Sequence, residues 1–190
     1  MELREAILNR RSVRRYLRRS VSQDMVREVL EAGRHAPTGG NMQPWELVVV
    51  RDRGGIERIK NTTFVGFNRD TAARQEWLAT ADVLIVVCAD VKRTVARYGE
   101  MGRRIALLDC AAAVENMLLS AVSLGLGSCW VSGFDAARLA SILELPAGSE
   151  PVAVLPLGYP AVKPAAPHKL ELDEIVHYER YGCYSEPEEE

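Results

Sequence analysis

Two kinds of apolar pattern alternate along this chain. In "SQDMVREVLEAGRHAP" the apolar positions Met25, Val26, Val29 and Leu30 share one face of a 3.6-residue repeat behind Ser22, a candidate N-cap, and this predicts an amphipathic helix. Pro37 sets its end, because a proline disfavours helical backbone in the residue before it. Residues 2–9 carry a shorter pattern of the same kind. By contrast, "ELVVV" (46–50) and "VLIVVCA" (83–89) are solid β-branched runs of strand length and predict buried strands. Short helices are expected over 54–60 and 72–80, around an unassigned loop at 61–71. "SCWVSGF" (128–134) reads as strand and turn, "DAARLASILEL" as a helix capped by Asp135, and "PVAVLPLGYP" (151–160) as a further strand. A proline-rich connector, "KPAAP", then leads to "LDEIVHYERYG", the last segment expected to be ordered.

One segment fits neither pattern. "RRIALLDCAAAVENMLLSAVSLGLG" (103–127) is apolar nearly all the way round, so as a helix it must be covered on most sides. Asp109, Glu115 and Asn116 interrupt it and argue against a membrane span. A partner chain packed on its Ala111–Ala113 face is the expected cover in a chain this short. Helices and strands do not follow a strict βαβ order, which makes the class α+β.

Composition adds bounds. At 190 residues, 47% of them hydrophobic and 26% charged, the chain suits one globular domain, taken as residues 1–183, before a solvated acidic tail at 184–190. A net charge of −2 gives no global attraction to nucleic acid, so any anion site must be local. Four cysteines show no CxxC spacing and three lie in apolar runs, as expected for reduced thiols in a cytoplasmic protein. "MELREAILNRR" lacks the apolar core of a signal peptide.

The candidate chemistry is concentrated in a few stretches. "NRRSVRRY" (9–16) places Arg10, Arg11, Arg14 and Arg15 around Ser12 and is the densest basic cluster in the chain. Guanidinium forks and a hydroxyl suit phosphate oxygens, although a solvated basic surface has the same composition. "APTGGNMQPW" (36–45) combines Pro37, Thr38, Gly39, Gly40, Asn41, Gln43 and Trp45 without a charge. Turn formation accounts for the proline and glycines but not for the amides. Gly133 follows an expected strand, where a glycine lets a ligand approach the backbone N–H, whereas "GLG" (125–127) is accounted for as a helix C-cap. His35, His168 and His177 are scattered and argue against a metal site. No nucleophile elbow, P-loop or dinucleotide glycine motif occurs, so difficult chemistry would have to come from a bound cofactor.

The ordered series "RRSVRRY", "APTGGNMQPW", "LGLGSCWVSGF" and "PLGYP…HKLELDEIVHYERYG" resembles the nitroreductase family of FMN-dependent oxidoreductases over residues 2–183. The resemblance implies a nitroreductase-like α+β fold, with a central, mostly antiparallel sheet flanked by helices. It also implies an intertwined homodimer with FMN at the subunit interface, and reduction by NADH or NADPH. Residue by residue, Arg10 and Ser12, with help from Arg11, match positions that hold the FMN phosphate and ribityl chain. Lys169 matches a C-terminal phosphate cation, with "HK" in place of the usual basic pair. Arg14 matches the cation beside flavin N1 and O2, and Ser132 with Gly133 the turn facing N5. Pro37, Thr38, Gly39 and Asn41 match a segment supplied by the other subunit. The implied activity is ping-pong transfer from NAD(P)H to a nitroaromatic, quinone or related acceptor. Alternatives are a dehalogenase or flavin-fragmenting enzyme of the same fold, and a non-catalytic flavin-binding protein. The family's larger members carry a long insertion before the central helix; here only "DVKRTVARYGEMGR" stands there, which would leave the ring face comparatively open. The acceptor and the choice between NADH and NADPH stay open.

Overall fold

The computed structural model describes residues 1–66 and 73–184. Its four strands, β1 (Trp45–Val50), β2 (Val83–Asp90), β3 (Gly127–Ser128) and β4 (Ser149–Gly158), form an antiparallel sheet in the order β1-β2-β4-β3. The solid apolar run of β2 is explained by its central place, with both faces covered. Val83, Ile85, Val87 and Ala89 pack in one layer with helices α2 (Gln23–Arg34) and α5 (Gly102–Ser123). Leu84, Val86 and Cys88 alternate into a second layer. That layer holds α3 (Arg53–Lys60), the 3₁₀ turn Glu76–Thr80 and α6 (Ala136–Ile142). The expected caps form: Ser22 Oγ accepts from Met25 N at 3.2 Å, and Asp135 from Arg138 N at 3.0 Å.

Several expectations change. Of the strand and turn expected over 128–134, the regular strand is confined to Gly127–Ser128, and Val131 adds an isolated bridge to Val154. Beyond that bridge Phe134 turns into the second layer and pairs with Thr63 instead. The helix expected at 72–80 is a 3₁₀ turn, Glu76–Thr80, and part of the 61–71 loop lies outside the described residues. A helix not expected, α4 (Val91–Tyr98), joins β2 to α5 through a 3₁₀ turn at Gly99–Met101. Val91, Val95 and Tyr98 fall at helical spacing on one face of α4, but its eight residues are too short a window for the period to be read from sequence.

The cover of α5 also differs from the expectation. Ala113 is buried within the chain, its carbonyl against Gly33 of α2. The open stripe of α5 runs through Arg104, Leu108 and Glu115, with Ala111 and Ala112 half-buried beside it. Leu108 is 60% exposed. Helix α1 (Leu3–Asn9) exposes Leu3, Ile7 and Leu8, and from Ala161 to Tyr184 no residue is buried at all. That C-terminal arm contains one helical turn, α7 (Leu172–Ile175), and presents Leu170, Leu172 and Ile175 to solvent.

Candidate cofactor site

Residues 10–16 lie as a strap along the β3 edge of the sheet. Val13 N donates to Ser128 O at 2.9 Å, and Leu17 N donates to Tyr159 O at 2.8 Å. Val13 and Tyr16 are buried in the second layer, and Tyr16 Oη donates to Val13 O at 2.7 Å. Anchoring these two side chains inward leaves Arg14 and Arg15 exposed. Two glycines admit the strap: a Cβ at Gly127 would meet Val13 at 2.9 Å, and one at Gly158 would meet Tyr16 at 2.8 Å. Of the "GLG" glycines, Gly125 (φ +74°) is therefore the helix terminator, and Gly127 serves close approach.

The polar groups of the strap are only partly satisfied. Arg10 faces Glu115 of α5 at 3.8 Å, a half-exposed pair that contributes little to stability. Arg11 Nη1 donates to Leu8 O at 2.7 Å and to Arg10 O at 2.9 Å, closing the end of α1. Arg11 Nε and Ser128 Oγ are buried without a hydrogen-bond partner among the described residues. Buried polar atoms left so cost about 1–3 kcal/mol each, and a ligand bearing several oxygens would recover that cost. Arg14 lies 5.9 Å from the Trp77 ring and has no carboxylate partner among the described residues. Burial raises the Cys129 thiol pKa, while Arg14, Ser12 and Arg10 pull it back. Burial pushes Cys88 and Cys110 up to about 12, which keeps both as thiols.

The Gly133 turn is tied to the chain segment that carries Trp77, the ring that Arg14 approaches at 5.9 Å. Phe64 N donates to Gly133 O at 2.8 Å, and Gln75 Nε2 reaches Phe64 O at 3.2 Å and Gly133 O at 3.4 Å. A Cβ at Gly133 would stand 2.5 Å from Phe64 O, so a backbone neighbour already requires the glycine. Its N–H has no hydrogen-bond partner among the described residues. Ser132 is exposed next to it.

The Pro37–Gln43 loop is held elsewhere. Gly39 N donates to both carboxylate oxygens of Asp109 at 3.2 Å. Burial raises the pKa of that carboxyl, and the Gly39 bond opposes the shift. Thr38 Oγ1 accepts from Gln43 N at 3.2 Å, and Arg93 of α4 donates to Gln43 O. Gly40 (φ +56°) lies against Tyr98 and Arg97, where a Cβ would collide with both side chains. Asn41 (φ +56°) and Gln43 (φ +47°) also adopt left-handed backbone, which is strained for residues with a Cβ and clusters at functional sites. Within one chain, no hydrogen bond or ion pair joins this loop to residues 10–14 or 128–133 among the described residues.

The structure thus gathers Arg10, Arg11, Ser12, Arg14 and Gly133, with Ser132 adjoining, and sets Pro37, Thr38, Gly39 and Asn41 apart on α4 and α5. Lys169 is exposed on the arm and makes no hydrogen bond or ion pair to the described residues. Lys163 instead lines, with Asn9, Arg11 and Gly127, a mainly apolar cavity of about 320 Å³. Sequence reasoning missed Ser128, Gln75, Trp77 and Asp109 as site residues. Only Asp109 carried a signal, a lone carboxylate in an apolar helix.

An α+β sheet edge bearing a basic strap with orphaned polar atoms, and a glycine turn whose N–H has no partner among the described residues, suits the binding of an anionic cofactor. The chain belongs to the nitroreductase family, whose model matches residues 7–159. It is 34% identical over 163 residues to a putative NADH dehydrogenase/NAD(P)H nitroreductase of Archaeoglobus fulgidus, covering 84% of this chain and 86% of the relative. It is 26% identical to the FMN reductase (NAD(P)H) of Bacillus subtilis over 95% of this chain and 74% of that protein. The crystal structure of a putative NADH dehydrogenase/NAD(P)H nitroreductase from Bacteroides thetaiotaomicron superimposes with a TM-score of 0.79 at 31% identity, covering 94% of this chain and 98% of that one.

Proposed function

We propose that this chain is a cytoplasmic FMN-dependent NAD(P)H oxidoreductase that works as a homodimer, with residues 1–183 as its flavin-binding domain. When bound, FMN supplies the redox chemistry, taking hydride at N5 from NADH or NADPH and passing electrons to a nitroaromatic, quinone or related acceptor in a ping-pong cycle. Arg10, Arg11, Ser12 and Ser128 hold the phosphate and adjoining ribityl oxygens, with Lys169 contributed by the arm. Arg14 places a fixed positive charge at the N1–O2 edge, where negative charge accumulates on reduction, and so favours electron uptake. The Gly133 N–H, with Ser132, is offered to N5. Pro37, Thr38, Gly39 and Asn41 close the ring edge from the partner chain, their backbone held in place by Asp109 and α4.

The observation that carries the reading is the pair of orphaned buried atoms, Arg11 Nε and Ser128 Oγ, at the foot of a strap whose Arg14 has no carboxylate partner among the described residues. The dimer is supported by apolar side chains left open on α1, on the Leu108 stripe of α5 and on the arm. Purified protein should be yellow, carry one FMN per chain, and oxidise NADH or NADPH when a quinone or nitroaromatic is supplied. Colourless protein that takes up no added FMN would overturn the reading.

A further inference from the structure

The strap continues beyond the flavin residues into Leu17, Arg18 and Arg19, which the flavin site leaves unused. Arg18, Arg19, Ser20, Arg53, Thr80 and Asp82 line a cleft of about 550 Å³. Its single carboxylate is already engaged. Asp82 accepts from Val21 N at 2.8 Å and faces Arg51 at 3.3 Å and Arg53 at 3.7 Å. The Arg19 guanidinium lies 3.8 Å from the Tyr159 ring centre, which holds it in place and leaves the donors in its plane for a ligand. Arg18 has no carboxylate partner among the described residues. Arg53 is already engaged, donating to Ala81 O at 2.7 Å and facing Asp82, so Arg18 and Arg19 are the guanidinium groups the cleft offers to phosphate oxygens, with Arg53 adding positive charge at its wall.

Position narrows the choice of phosphate ligand. Arg18 follows Arg14 by four residues, so their Cα atoms are at most about 14 Å apart whatever the backbone does. A dinucleotide whose nicotinamide meets the flavin ring that Arg14 borders can therefore lay its phosphates along the same strap. We propose that this cleft seats the phosphates of the reduced nicotinamide dinucleotide, with Arg18 and Arg19 as its affinity-determining residues. The proposal rests on the flavin reading of Arg10–Arg14, and its test separates the two.

The test compares wild type with Arg18→Gln/Arg19→Gln and, independently, Arg53→Gln. Donors are NADH, NADPH and 1-benzyl-1,4-dihydronicotinamide, which delivers hydride but carries no phosphate. KM for the dinucleotides should rise about tenfold or more, as expected for losing charge-assisted hydrogen bonds. FMN content, absorption spectrum and turnover with the phosphate-free donor should stay at wild-type levels in the double variant. A rise confined to NADPH also supports the proposal and places its extra phosphate in the cleft. Unchanged KM values for both dinucleotides overturn it, as does an equal loss with the phosphate-free donor. Calorimetric titration with NADP⁺ reads the cleft directly, so it decides the proposal even if the wild type proves colourless and the flavin reading fails. Weaker NADP⁺ binding by the double variant supports the cleft, and equal binding overturns it.

Discussion

Arg10 and Arg14 lie on one strap, yet the physics assigns them different work. Arg10 pairs only loosely with Glu115, at 3.8 Å, so it can turn to a phosphate at little cost. Losing a charge-assisted bond of about 1.5–3 kcal/mol should make Arg10→Ala largely apoprotein after dialysis. Arg15→Ala should keep its flavin, because that side chain is exposed and only the residue's carbonyl is engaged, by Ala161 N. Retention of FMN by Arg10→Ala at the wild-type level would remove Arg10 from the cradle. Arg14 has no carboxylate to leave behind among the described residues, so Arg14→Gln should fold and bind flavin but hold it at a lower potential. For a two-electron couple about 30 mV corresponds to about 1.4 kcal/mol, so a loss of tens of millivolts is expected in a spectroelectrochemical titration. An unchanged potential in the FMN-loaded variant would contradict the placement of Arg14.

Among elements, α5 does most to hold the site, since Asp109 fixes one loop and Glu115 faces the strap. Burial raises the Asp109 pKa above its ordinary value of 3.8. Over the window from 3.8 up to the raised value, the folded chain keeps a proton that the unfolded chain has lost. Its contribution to stability therefore falls as pH rises through that window and levels off above it. Asp109→Asn keeps an oxygen for the Gly39 N–H and removes the titration. Denaturant unfolding at about pH 4 and about pH 7 should show the variant losing less stability than wild type, or gaining more, as pH rises. Asp109→Ala should cost about 1–3 kcal/mol by stripping the acceptor from Gly39 N–H. If Asp109→Asn and wild type respond identically to pH, the carboxyl is not the titrating group.

Elements with strong periodicity were legible in the sequence. The solid run of β2 and the all-round apolarity of α5 follow directly from their central positions. Helix α4 was not, because its eight residues are shorter than the window over which a helical period can be read. The strap, the glycine turn and the loop stand out in the sequence by residue type and family resemblance, and are proposed as the site on that ground. Ser128 was hidden because a serine says nothing until its hydroxyl is found buried without a partner. The role of Gly127 was hidden as well, since its neighbour Val13 lies 114 positions away in the sequence.

On the scale of the whole molecule, the strap and the loop are anchored to different elements of one chain. On the proposed reading a single chain supplies two half-sites, which closed two-fold symmetry would pair with their complements. Arg14→Glu and Asn41→Lys should each abolish FMN-dependent turnover as homodimers. When the two chains are co-expressed or unfolded and remixed, each heterodimer should contain one site with both lesions and one with neither. Activity should then return to about a quarter of wild type for random pairing, since about half of the dimers are mixed and each has one intact site. If both residues belonged to one chain's site, every site would carry a lesion. Heterodimers that form demonstrably but stay inactive would contradict the shared flavin site.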